Sequence, residues 1–131
     1  MIDALDALEA KLRHYPPLSY RRRANGIEIE PPNEGGFAID MYREGGGFLV
    51  NFGLGGFHQD FEAGEDAVEF VMLGLSNACR LREVRHPFLH RAILERRSEG
   101  AWTPVDEVGT ISWPIVIGAK MQIFQNTLVL A

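Results

Sequence analysis

The most constraining feature of this sequence is an apolar run between positions 64 and 78. Its main stripe has the i, i+3, i+4, i+7, i+8 and i+11 spacing of a helix: Ala67, Phe70, Val71, Gly74, Leu75 and Ala78. Three more apolar residues, Val68, Met72 and Leu73, lie off that stripe. A helix that is apolar on two sides must be covered on both. We expect a sheet on one side, the N-terminal helix or a second subunit on the other, and close packing at Gly74.

A second, shorter helix is predicted at the N-terminus. Its apolar residues recur at three- and four-residue steps: Ile2, Leu5, Leu8 and Leu12. Acidic residues come early in this segment and basic residues late, which suits the helix macrodipole. Pro16 and Pro17 then end the helix, because proline lacks the backbone N–H that a helix interior needs.

The remaining segments read as β-strands joined by turns. Between the helices lie GIEIE, GFAIDMY and FLVNFGL, and the glycine-rich REGGG joins the last two as a hairpin. After the long helix, CRLREVR and LHRAILERR flank His86 and Pro87, SEG turns into AWTPVDE, and TISWPIVIG and KMQIFQNTLVLA follow. The predicted class is therefore α+β, a mostly antiparallel sheet with two helices in the order α-β-β-β-α-β-β-β(-β). We predict a single domain, residues 1–131.

Composition narrows the class of protein. The chain has 131 residues, 46% hydrophobic and 24% charged, which is ordinary globular usage and long enough for a core. The net charge of −5 argues against a duplex-binding protein, which usually carries a basic face. One cysteine, Cys79, excludes an internal disulfide. No signal-like segment and no run of about 20 apolar residues is present, so we expect a cytoplasmic protein without a membrane partner.

The stretch GGFHQDFEAGED is the strongest candidate for chemistry. If FHQDFE is extended, His58, Asp60 and Glu62 point to one face, because side chains alternate along a strand. An imidazole beside carboxylates can hold a divalent metal or pair a base with an acid. The alternative is structural: the phenylalanines anchor a strand end, and Glu65 and Asp66 occupy the first turn of a helix.

Other candidate sites have simpler explanations. His86 and His90 are four residues apart, but Pro87 lies between them and strands flank them, so a shared metal is disfavoured. The glycine clusters lack the Gly-Lys-Ser/Thr of a phosphate loop and suit turns and bends. Cys79 matches no nucleophile pattern, and a buried, inert thiol is expected.

Arginines form a candidate partner surface. Positions 79–97 hold six arginines and two glutamates, whereas positions 60–69 hold five acids and no base. One reading is that charges protect edge strands from pairing. The other is a surface that steers a partner electrostatically, formed by Arg80, Arg82, Arg91 and Arg96.

These observations lead to three functional hypotheses, of which a nucleic-acid binder that uses the arginine-rich strands ranks third. The first is a non-enzymatic protein-interaction or small-ligand-binding domain that forms a homodimer and binds an unknown protein, with no cofactor and no nucleic acid. The apolar C-terminal run and the helix that is apolar on two sides motivate the dimer. The second is a small metal-dependent enzyme or metal-binding protein that uses His58, Asp60 and Glu62.

Overall fold

The computed structural model describes residues 3–53, 57–86, 89–111 and 120–128. Helix α1 (Ala4–Leu12) opens the chain, and helix α2 (Gly64–Leu75) lies between two groups of strands. The first group is β1 (Tyr20–Arg22), β2 (Gly26–Ile29), β3 (Ile39–Glu44), β4 (Gly47–Phe52) and β5 (Phe57–Phe61). The second group is β6 (Cys79–His86), β7 (Leu89–Ser98), β8 (Ala101–Ile111) and β9 (Lys120–Phe124). The predicted α+β class with two helices is confirmed.

The strands form two antiparallel sheets. The first sheet has the order β1-β2-β3-β4-β5, so each strand pairs with its neighbour in the sequence. The second has the order β8-β7-β6-β9, and β9 therefore returns to pair with β6. Strand β5 approaches β7 and β8, which brings one edge of the first sheet close to the second sheet.

Two of the strands before α2 are absent from the predicted order. One is β5, whose sequence FHQDF is extended and pairs with β4. The other is β1, which lies in the basic segment that we expected to be a loop. Its three residues do not alternate between apolar and polar side chains, so the local sequence does not predict a strand here. Pairing with β2 makes it a strand, and Arg22 then reaches Asp6 at 2.9 Å and Glu9 at 3.2 Å on α1.

Both predicted hairpins have two-residue turns with positive φ. In the β3–β4 turn, Gly45 and Gly46 have φ of 56° and 85°. In the β7–β8 turn, Glu99 and Gly100 have φ of 53° and 80°. Such turns match the right-handed twist of paired strands and favour glycine, which has no Cβ to clash.

Helix α2 is covered on two sides, as its apolar pattern requires. It packs against β3, β4, β5 and β6 and also against α1, whose Leu5, Leu8 and Leu12 are at most 1% exposed. Gly74 is closely packed as predicted: a Cβ there would lie 2.9 Å from Ile39 Cδ1 and closer still to the Phe52 ring. No helix in the described ranges is long and apolar enough to cross a membrane.

The helix ends three residues earlier than its apolar stripe suggested. Ser76 is extended rather than helical, and its hydroxyl donates a hydrogen bond of 2.7 Å to the Leu73 carbonyl. The same oxygen accepts the backbone N–H of Ala78 at 3.2 Å. Ser76 also forms a parallel bridge with Leu128, so a contact far away in sequence helps to determine where α2 stops.

One buried cluster links the helices to both sheets. Within it Phe37 packs against Phe52 with ring centroids 5.4 Å apart, and the partly buried Phe70 stacks on Phe52 at 4.7 Å. Leu81 and Leu94 contribute to the same cluster from β6 and β7, where both are fully buried. The core therefore continues from the first sheet into the second.

Candidate functional site

A pocket of about 320 Å³ lies where the two sheets meet. Its wall combines the segment before β3, the residue after β4, and side chains of β6 and β9: Pro31, Gly36, Phe37, Ala38, Gly53, Glu83 and Phe124. Phe37 and Glu83 are buried, whereas Pro31 is exposed. The described lining is therefore largely apolar, with Glu83 as its one carboxylate.

Asn126 holds one wall of this pocket in place. Its side chain is fully buried, and its Oδ1 accepts the Phe37 backbone N–H at 2.9 Å. Its Nδ2 donates to the carbonyls of Phe37 at 3.2 Å and Gly74 at 3.0 Å. A single amide thus joins the segment before β3 to the end of α2. A buried amide whose hydrogen bonds are made rigidifies the elements that it joins.

Asn33 ties the rim of the pocket to the segment after β9. Its Oδ1 accepts the Thr127 N–H at 3.1 Å, and its Nδ2 donates to the Gln125 carbonyl at 3.0 Å. The Gln125 N–H in turn donates to the Gly35 carbonyl at 2.9 Å. These hydrogen bonds hold the segment between β2 and β3, which forms part of the pocket wall, against the segment after β9.

Glu83 faces the pocket because of its register on β6. Cys79, Leu81 and Glu83 alternate with Arg80 and Arg82, and the first three are at most 2% exposed. Glu83 interacts with another residue of the chain. A carboxylate in an apolar wall is costly unless hydrogen bonds or charges compensate it, so such a group is uncommon in a purely structural core.

The structure brings together two of the three predicted metal ligands. Asp60 and Glu62 line a cleft of about 650 Å³ beside the β3–β4 turn, together with Glu44, but His58 does not line it. All three predicted ligands are exposed, and His58 interacts with another residue of the chain. In the described part of the chain, no group of three or more His, Cys, Asp or Glu side chains is arranged to hold a metal. The metal hypothesis stays a prediction, which metal analysis of tag-free protein and of His58→Ala tests.

The acids that follow β5 occupy the position that the structural alternative expects. Glu65 and Asp66 lie in the first turn of α2. There they face the free N–H groups and the positive end of the helix dipole. No side chain caps this end by a hydrogen bond, so the favourable effect of these acids is electrostatic.

The predicted arginine surface is partly an internal ion network. Glu95 is only 4% exposed and accepts the Arg80 Nε at 2.8 Å, while Arg82 approaches it at 3.9 Å. Arg80 also stacks over the Trp102 ring at 4.4 Å, and Arg97 lies 5.2 Å from the same ring. Charges that are paired within the fold contribute less to a partner surface.

The other predicted residues of that surface differ from each other. Arg96 is exposed, whereas the side chain of Arg91 lies outside the described part of the chain. The side chains of His86 and His90, the disfavoured metal pair, also lie outside it. Cys79 pairs with Arg96 across β6 and β7 and is fully buried. Burial raises the pKa of the Cys79 thiol to about 12, and Arg96 lowers it only in part. Its thiol is therefore protonated at neutral pH, which suits the predicted inert, buried cysteine.

Two neighbouring carboxylates on the first sheet, Glu28 and Asp40, were not predicted as a site. Glu28 accepts hydrogen bonds from Tyr42 and, at 2.8 Å, from Arg23, while Asp40 lies beside it in the β2–β3 register. Burial, and then the charge of Glu28, raise the pKa of Asp40. Burial and the hydrogen bond to Glu28 raise the pKa of Tyr42 to about 12.

Sequence reasoning missed the residues that build the pocket. Asn126 sits in a segment that reads only as the end of a β-rich run, and Glu83 is one acid among arginines. The alternation of Cys79, Leu81 and Glu83 was the available signal, since it places Glu83 on the apolar face of a predicted strand. No family model, no curated protein and no solved structure matches this chain.

Proposed function

We propose that this protein is a non-enzymatic binding domain that holds a small ligand in the pocket between its two sheets. The observation that carries the proposal is the pocket itself, with its apolar wall and the single buried carboxylate of Glu83. Ligand sites are typically concave, mostly apolar and furnished with a few polar groups that orient the ligand. This pocket is concave and mostly apolar, and Glu83 supplies one polar group that can orient a ligand.

The size of the pocket sets the size of the ligand. A volume of about 320 Å³ lies at the lower end of the range for small-molecule sites, which is roughly 300–1,000 Å³. At about 30 Å³ for each water-sized atom, the pocket accommodates roughly ten non-hydrogen atoms. A single ring with a short side chain fits that volume.

The hydrogen bonds of Asn126 and Asn33 favour an open pocket over one whose walls have closed on each other. They hold the segment between β2 and β3 against α2 and against the segment after β9. A site that is already shaped loses less conformational entropy when a ligand enters. The protein therefore presents a pocket that is organised before binding.

The test is a titration with small phenyl compounds that match the pocket in size. Wild-type protein is titrated with 2-phenylethanol and 2-phenylethylamine, and backbone amide shifts are followed by NMR. We expect saturable shifts at Gly36, Phe37 and Gly53, which line the pocket. Ala38→Phe fills the pocket and should abolish them.

The matched control places the same bulk on an exposed loop. Ala24 is exposed in the connection between β1 and β2, so Ala24→Phe should leave the titration unchanged. Wild-type protein in which neither compound produces saturable shifts at the pocket would refute the proposed function.

A further inference from the structure

We infer that the ligand carries a cationic nitrogen, an amine or a guanidinium group, which meets Glu83, attached to an apolar body that contacts Phe37 and Phe124. This inference rests on the proposed binding function and adds the chemical class of the ligand.

Glu83 is the one ionisable side chain among the described residues that line this pocket. It is 2% exposed, so its charge is only weakly screened by water. The interaction between two charges strengthens as the surrounding dielectric falls, and a buried carboxylate therefore favours a cation more than an exposed one does. The same charge disfavours an anionic ligand.

Two arginines of β6 point away from the pocket. Arg80 and Arg82 lie on the opposite face of the strand, where both approach Glu95. Glu83 does interact with another residue of the chain. A carboxylate nevertheless has two oxygens with about four acceptor positions, so it can accept an additional N–H from a ligand.

Gly53 leaves the space through which a ligand group reaches the carboxylate. It follows β4 with a φ of 70°, a conformation that favours glycine. A Cβ at this position would lie 3.6 Å from Glu83 Oε1 and 2.9 Å from Leu81 Cδ2. Any side chain here would therefore occupy the volume in front of Glu83.

The apolar part of the wall is suited to the body of the same ligand. Phe37 is 3% exposed and Phe124 is half-buried, so both present ring surface to the pocket. Aromatic rings bury large apolar areas and also attract cations to their faces. An arylalkylamine combines the two features that this wall recognises.

The experiment compares three ligands of nearly equal size and different charge. Wild-type protein is titrated with 2-phenylethylamine, 2-phenylethanol and phenylacetate at neutral pH, and the amide shifts of the pocket residues yield each Kd. We expect the amine to bind at least about tenfold more tightly than the alcohol, as a charge-assisted hydrogen bond allows. Phenylacetate should bind most weakly.

Two variants separate Glu83 from the overall negative charge of the protein. Glu83→Gln keeps the shape of the side chain and should remove the preference for the amine while the alcohol still binds. Glu69→Gln removes the same charge from an exposed position of α2, and should change nothing at the pocket. The amine preference of wild type should persist at high salt, because salt screens a buried pair much less than exposed charges.

Each outcome bears on one proposal or both. Compounds that bind at the pocket with equal affinity, or an amine preference that survives Glu83→Gln, overturn the cation inference and leave the binding function standing. A complete absence of pocket binding overturns both. If Glu83→Gln fails to fold, the order of the three ligands on wild-type protein decides the inference by itself.

Discussion

Asn126 shows how much one buried polar residue can hold together. Its amide makes three hydrogen bonds to backbone atoms of Phe37 and Gly74, and the side chain has no exposed surface. Removing such a group leaves buried backbone donors and acceptors without partners. The cost of that loss exceeds the modest net gain of an ordinary hydrogen bond.

We therefore predict that Asn126→Ala lowers the free energy of unfolding by about 3 kcal/mol. Denaturant unfolding followed by circular dichroism measures this loss. Thr127→Ala is the control, because Thr127 is exposed and bonds Asn33 through its backbone N–H, which alanine keeps. A loss of less than about 1 kcal/mol in Asn126→Ala would show that the amide is not essential to this wall.

Asp40 supplies a pH dependence whose sign can be worked out. Burial and then Glu28 raise its pKa above the ordinary value of 3.8, so the folded protein binds this proton more tightly than the unfolded chain does. The contribution of Asp40 is therefore fully present below pH 3.8 and is lost as the pH rises through the folded-state pKa. At neutral pH its charge destabilises the fold.

Asp40→Asn should consequently stabilise the protein at pH 7. The gain is at most about 1 kcal/mol, because Asp40 is half-buried and water still screens part of its charge. The advantage over wild type should shrink as the pH falls toward 3.8. Thermal unfolding of both proteins between pH 3.5 and pH 8, values chosen to span roughly the carboxyl range, provides the measurement. An advantage that does not change with pH would contradict this assignment.

At the scale of elements, α2 is the helix against which both sheets and α1 pack. Its apolar surface faces the first sheet, reaches β6 of the second, and is covered elsewhere by α1. Gly74 is where the helix approaches the sheet most closely, with Ile39 and Phe52 in the space that a Cβ would take. Helix propensity and packing therefore oppose each other at this residue.

Gly74→Ala tests which of the two effects is larger. Alanine is favoured over glycine within a helix by up to about 1 kcal/mol. Overpacking in a closed core costs typically about 1–3 kcal/mol, so we expect a net loss of stability in denaturant unfolding. Glu69→Ala, at an exposed position of the same helix, should change stability by no more than about 0.5 kcal/mol. A stabilised Gly74→Ala protein would mean that the Phe52 ring moves aside readily.

At the scale of the whole molecule, α1 changes the argument for a homodimer. One reason to expect a second subunit was the apolar surface of α2, and α1 covers part of that surface within a single chain. The other reason was the apolar C-terminal run, of which residues 129–131 lie outside the described part of the chain. The homodimer therefore stays a prediction that depends on this run.

Light scattering at tens of micromolar measures the assembly directly. A homodimer has twice the chain mass of 14.7 kDa. In that case Leu128→Asp, in the described part of the C-terminal run, should shift the mass toward one chain, and Thr127→Asp at the exposed neighbouring position should not. A wild-type mass of one chain would end the dimer hypothesis and leave the pocket proposals unaffected.

Short-range sequence patterns were sufficient to predict the elements whose residues have a clear periodicity or turn composition. The 3.6-residue period predicted both helices, and the glycines at positions 45 and 46 predicted the β3–β4 hairpin. The close packing at Gly74 followed from the same reasoning. These features depend on neighbours within a few residues, and a sequence read in short windows contains that information.

The remaining features were decided by contacts that are distant in the sequence. Strand β1 exists because β2 pairs with it, and α2 stops at Leu75 with Ser76 bridged to Leu128. The pocket has a wall from each sheet, and Asn126 joins segments that are 89 and 52 residues away. The chain by itself determined its helices, its hairpins and its α+β class, because those follow from local periodicity. Only the tertiary structure placed Glu83, Phe37 and Phe124 around one cavity, because no local pattern records which distant residues meet when two sheets share a core.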